Sequence, residues 1–134
     1  VNRALVRAVR ERAEERCEYC RLPQSAAPIP FQIDHIIAAK HGGLPEPENL
    51  ALACPHCNLH KGPNIGGRDP GTGQFSPLFH PRTDQWTDHF LFEGPKIIGR
   101  TLMGTLTIDI LAMNADGILA LRAELLQEGV ILLP

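Results

Sequence analysis

Two Cys-x-x-Cys pairs, Cys17-Glu-Tyr-Cys20 and Cys54-Pro-His-Cys57 with 33 residues between them, constrain this chain more than any other feature. Each pair presents two thiolates from a tight turn, and two pairs fill the four positions of a closed, tetrahedral, structural zinc site. A redox dithiol is the competing reading, but it needs a thioredoxin-like strand and helix around one pair and does not account for two. A chain of 134 residues can bury a core without covalent staples. The first sixteen residues, VNRALVRAVRERAEER, are charged throughout and hold no apolar stretch suited to a signal-peptide core. No apolar run reaches the roughly 20 residues of a bilayer span, because Asp109 and Asp116 interrupt the C-terminal region. The expectation is a cytoplasmic protein without a membrane partner, in a reducing compartment where paired cysteines bind metal.

The pattern between and around the cysteines predicts an α+β fold. Residues 2–16 read as a helix, with Leu5, Val6, Val9 and Ala13 at near-helical spacing among Arg and Glu. Pro23, Pro28 and Pro30 make residues 22–30 a loop. Residues 31–37, FQIDHII, alternate as a half-buried strand does, so Asp34 and His35 leave it on opposite faces unless it ends there. A Gly- and Pro-rich loop over 40–49 and a short strand over 50–53 complete a hairpin. The second cysteine pair then opens a short helix that Gly62 and Pro63 end. Residues 64–74 read as a loop, 88–99 as two strands around Gly94-Pro95, 101–114 as a buried helix between Thr101 and Asn114, and 116–128 as a second, amphipathic helix. The expected organisation is a zinc-stapled core over 1–66 and an extension over 67–134 packed on it as one compact domain, with the C-terminal helices available for a homodimer.

Inside the zinc clamp lie Asp34-His35-Ile36, Gly42-Gly43, Glu48-Asn49-Leu50 and C-x-x-C-N-x-x-K-G over 54–62. In this order and between these cysteines, residues 17–62 resemble the HNH endonuclease family. The resemblance implies a ββα-metal core within a treble-clef zinc finger. It makes His35 and Asn49 the candidate catalytic residues, His35 as general base and Asn49 bracing the loop that fixes it. Asp34 and Asn58 become ligands of a catalytic Mg²⁺ or Mn²⁺, and Cys17, Cys20, Cys54 and Cys57 those of a structural Zn²⁺. Lys61, and less specifically Arg82, become the substrate-binding residues. Asn58 stands where the family has its last histidine, so the motif here is H-N-N. The chemistry is coherent: an anionic phosphodiester needs a base to activate water and a cation to neutralise developing charge. Histidine, with an unperturbed pKa of about 6.5, suits the first task, and one carboxylate with one amide oxygen suits a hard ion.

Each residue also has a plainer explanation. Asp34 and Asn49 stabilise turns elsewhere, and Asn58 is a common helix cap. The alternative function is a non-catalytic zinc finger that binds nucleic acid or protein. The net charge of −2 excludes a uniformly basic coat, although residues 1–61 hold eight Lys and Arg against seven Asp and Glu. Arg3, Arg7, Arg10, Arg12 and Arg16 either contact phosphate or form a solvated face with Glu11, Glu14 and Glu15. His56 and His60 fall outside the matched ligand positions. His80, Arg82, Trp86 and His89 either approach nucleic acid or pack on the core, and a sole tryptophan favours packing. The expected partner is nucleic acid, DNA before RNA.

Overall fold

The computed structural model describes residues 1–132; the last two residues of the expected extension, 133–134, lie outside the described residues. The first half is a helix, a hairpin and a second helix: α1 (Arg3–Arg12), β1 (Gln32–His35), β2 (Leu50–Ala53) and α2 (Pro55–Lys61). β1 and β2 pair antiparallel, from Gln32 opposite Ala53 to His35 opposite Leu50. The sequence-based helix over 2–16 is shorter than expected. Asn2 caps its start by accepting from Leu5 N at 2.8 Å, but Glu14 and Glu15 turn left-handed, with φ of 55° and 56°, and end the helix early. That reversal brings Cys17 back toward β2, where Glu18 N donates to Leu52 O at 2.8 Å. α1 buries Val9, the Ala13 that caps its end is buried too, and Arg12 anchors the helix by donating to Pro47 O at 2.9 Å and Leu50 O at 2.6 Å.

The loop between β1 and β2 is organised around Asn49 and two glycines. Gly42 adopts φ +93°, which a side chain resists, and a Cβ on Gly43 would sit 1.7 Å from Ile37 O. The Gly-Gly pair is therefore a steric requirement of the turn.

The second half contains β3 (Gly66–Arg68), β4 (Phe75–Pro77), α3 (Trp86–His89), β5 (Phe90–Glu93), β6 (Lys96–Gly99), α4 (Leu102–Ile110) and α5 (Asp116–Gln127). Several readings from sequence change here. The expected loop over 64–74 is partly a hairpin: Gly66 pairs with Pro77 and Arg68 with Phe75, around a turn in which Asp69 accepts from Gly71 N at 3.1 Å and Thr72 Oγ1 at 2.7 Å. The expected boundary after residue 66 falls within β3. The expected helix over 101–114 stops at Ile110 because Ala112 is left-handed, with φ 49°. Thr101 caps its start, accepting from Gly104 N at 3.0 Å. Asn114 caps no helix end; its amide pairs with the backbone of Ile97 in both directions, at 2.9 and 2.7 Å.

One apolar core runs through both halves, joining Val9, Tyr19, Leu50 and Leu52 to Leu78, Phe79, Phe90, Ile97, Leu111 and Met113. Trp86 stacks on Phe92 with centroids 5.2 Å apart and donates its Nε1–H to Tyr19 O at 2.8 Å, so it anchors the extension on the first cysteine turn. α4 and α5 turn Leu106, Ile118 and Leu125 inward; the expected homodimer through these helices is not supported. No helix among the described residues is long and apolar enough to cross a membrane.

Candidate functional site

The four cysteines converge. Their sulfurs all lie within 4.8 Å of one another and are buried. Zn–S bonds of about 2.3 Å in a tetrahedron place neighbouring sulfurs roughly 3.8 Å apart; Cys20 Sγ and Cys54 Sγ lie 3.7 Å apart. In each turn the second cysteine donates its backbone N–H to the sulfur of the first, Cys20 to Cys17 at 3.5 Å and Cys57 to Cys54 at 3.4 Å. These bonds stabilise thiolate, and the donor set fits a structural zinc. Burial raises the Cys17 thiol, but hydrogen bonds from the other three cysteines outweigh it and hold Cys17 well below the usual range. Hydrogen bonding within the cluster, with burial, holds Cys20 and Cys57 well above it. A dication that gathers four thiolates must therefore displace protons.

The two residues inside the first turn brace the hairpin, a role that sequence reading missed. Glu18 accepts from Leu52 N at 2.8 Å and forms an ion pair with Arg82. Tyr19, fully buried, donates its hydroxyl to Asp34 Oδ2 at 2.7 Å. Burial and the charge of Asp34 hold the Tyr19 phenol well above its ordinary range, so it remains a donor. The available signal was that Tyr19 is the sole tyrosine of the chain and sits within a metal-binding turn.

Asp34 lies at the centre of a buried network. Only 6% exposed, it is held by Tyr19 and by Lys61 Nζ, 3.2 Å from Oδ2 and 3.3 Å from Oδ1. Burial pushes its carboxyl up, against the Lys61 charge and the two hydrogen bonds, which pull it down. Lys61, expected at phosphate, is 1% exposed, and its remaining contact is His35 O at 3.2 Å. Its ammonium is committed to the hairpin end and does not reach the surface. Arg82, also expected at substrate, is instead paired with Glu18; it joins the extension to the first cysteine turn.

Asp34, His35 and Asn58 line one hollow of about 270 Å³, with Ile33, Ala38, Ala39, Gly62 and Pro63. β1 ends at His35, which lets neighbouring side chains reach one space. His35 Nε2 is buried without a hydrogen-bond partner. Asn58 Nδ2 donates to Gln32 Oε1, which orients the amide and leaves its Oδ1 as a hard donor. Asn49 is not in the hollow. Its Oδ1 accepts from Ile37 N at 2.8 Å, and its Nδ2 donates to Ile37 O at 2.9 Å and Leu44 O at 3.0 Å. With Asn49 O accepting from Ile36 N at 2.8 Å, this residue fixes the backbone that follows His35.

Residues 17–64 match the family model described as HNH endonuclease. They are an HNH domain. The paired hairpin strands, the helix that follows and the four-cysteine cluster are consistent with the ββα-metal fold of HNH proteins. The match covers well under half of the chain, and the second hairpin, the third hairpin and α3 to α5 lie beyond the HNH domain. No curated protein and no solved structure matches the chain. HNH nucleases act on nucleic acids.

Proposed function

We propose that this chain is a metal-dependent endonuclease that hydrolyses nucleic-acid phosphodiester bonds, with DNA the favoured substrate. The observation that carries the reading is the shared hollow of Asp34, His35 and Asn58 within the HNH domain. His35 is the general base: its unpartnered Nε2 accepts the proton of the attacking water. Asp34 and Asn58 offer one carboxylate and one amide oxygen to a Mg²⁺ or Mn²⁺ ion, whose positive charge supplies Lewis-acid stabilisation of the phosphoryl oxygens when bound. Asn49 and Lys61 position this pair of neighbours from behind, Asn49 through the loop and Lys61 through Asp34 and the His35 carbonyl. Cys17, Cys20, Cys54 and Cys57 hold a structural Zn²⁺ that clamps the hairpin to α2.

A second reading, a zinc finger that grips nucleic acid without cutting it, is favoured by one observation: both Asp34 oxygens are already engaged by Tyr19 and Lys61. Incubating purified protein of full zinc content with plasmid, single-stranded DNA and RNA under Mg²⁺, Mn²⁺, Ca²⁺ or Zn²⁺ separates the two. Cleavage with Mg²⁺ or Mn²⁺ is expected, and mild chelation stops it while the thiolate-bound zinc remains. Retardation of all three substrates without cleavage under any ion would leave the binding module standing and remove the nuclease.

A further inference from the structure

Arg122, in the middle of α5, is entirely buried. Its Nε donates to Pro95 O at 2.7 Å, and its Nη2 donates to Met113 O at 2.6 Å and Asn114 Oδ1 at 2.9 Å. Every one of these acceptors is neutral. No carboxylate among the described residues pairs with it, and its Nη1 is buried with no partner. Arginine keeps its charge in proteins, and a buried charge without compensation is strongly destabilising. Neutral carbonyls orient a guanidinium but do not cancel it.

Across the interface between the extension and the HNH domain, the first half of α5 faces the second cysteine turn. Cys54, Pro55 and His56 share a hollow with Gly117, Ile118 and Leu121, the residue before Arg122. His56 Nε2 bonds Ala112 O at 2.7 Å, next to the Met113 carbonyl that Arg122 holds. Burial lowers the pKa of Arg122, against an opposing pull from the four cysteines in their thiolate form. A Zn²⁺ ion with four thiolates carries two net negative charges, and a buried dianion needs a nearby cation as much as a buried guanidinium needs an anion.

We propose that Arg122 is the internal counter-charge of the zinc–tetrathiolate centre, so that the extension completes electrostatically a metal site whose ligands all lie within the HNH domain. This rests on the reading of the cysteine cluster as a zinc site and is independent of nuclease activity. It explains why a cation stands at full burial and why its Nη1 has no neutral partner.

The test is zinc affinity of the full chain, read by competition with a chromophoric chelator, in the parent, Arg122→Lys, Arg122→Gln and Arg122→Met. Lysine keeps the charge and loses the planar clamp on the carbonyls. Glutamine keeps N–H donors and loses the charge, and methionine fills the volume with neither. Zinc affinity should follow charge and not clamp geometry: a loss of at least about tenfold in the Gln and Met variants, with Lys within a few-fold of the parent. In cobalt-loaded protein the sulfur-to-metal charge-transfer band should shift in Gln and Met and stay in place in Lys. Gln or Met variants that bind zinc within twofold of the parent would overturn the proposal, as would a Lys variant that loses as much as Gln with the band unmoved in both. A parent that folds with no zinc would instead overturn the zinc reading and, with it, this inference.

Discussion

Asn49→Asp is the substitution that most sharply separates a positioning role from a metal-binding one. Asn49 spends its whole amide on backbone, accepting from Ile37 N and donating to Ile37 O and Leu44 O. Three such bonds contribute on the order of 1 kcal/mol each, so Asn49→Ala should cost about 3 kcal/mol. For a domain of this size that lowers Tm by roughly 10 °C. Aspartate is nearly isosteric and can still accept from Ile37 N, but it loses both donations and points a carboxylate at two carbonyl oxygens. It should therefore be no more stable than the alanine variant. Urea unfolding gives the magnitudes, and amide exchange at Ile37 and Gly43 reports whether the loop is released ahead of the rest. Were Asn49 a metal ligand, aspartate would hold the ion better than asparagine. An Asn49→Asp variant with parental stability and sustained metal-dependent activity would refute the positioning role.

Two further predictions follow from the buried groups. Cys54→Ser should abolish zinc retention and destabilise hairpin and α2 together, since part of the folding energy comes from the metal; elemental analysis beside thermal unfolding checks it, and a natively folded variant with no zinc would contradict it. Lys61→Met leaves Asp34 buried without its cation, at a cost of about 3–5 kcal/mol, and Mn²⁺ should restore more stability to this variant than it adds to the parent. Equal Mn²⁺ shifts in the two proteins would show that the ion does not reach Asp34.

The four-cysteine cluster was legible in the sequence because two Cys-x-x-Cys turns leave few alternatives, and the hairpin and α5 followed from alternation and helical spacing. What escaped was set by tertiary contacts. The left-handed Glu14 and Glu15 are good helix formers by type, and only the need to return Cys17 to β2 breaks the helix there. β3 and β4 are so rich in Gly and Pro that they read as loop; Gly66 suits the pairing because a Cβ there would lie 2.9 Å from the backbone oxygen of Ser76. That Asp34, His35 and Asn58 share one hollow was legible in the sequence through the family resemblance. The burial of Lys61 was not, because a lysine near a phosphate-type motif is ordinarily exposed and its partner Asp34 lies 27 positions away. The ion pair of Arg82 was hidden for a similar reason: its partner Glu18 belongs to the other half of the chain.

The central claim rests on His35, and the direct measurement is the cleavage rate of His35→Ala on the substrate that the parent cuts best, at saturating Mn²⁺ and fixed salt, beside substrate affinity and zinc content. The expected result is a rate lower by about 10²–10⁴-fold, with the fold, the zinc and the binding retained, because affinity for a polyanion comes from cationic groups and not from the base. A variant that retains zinc and fold and cleaves as fast as the parent would contradict the assignment of the chemistry to His35.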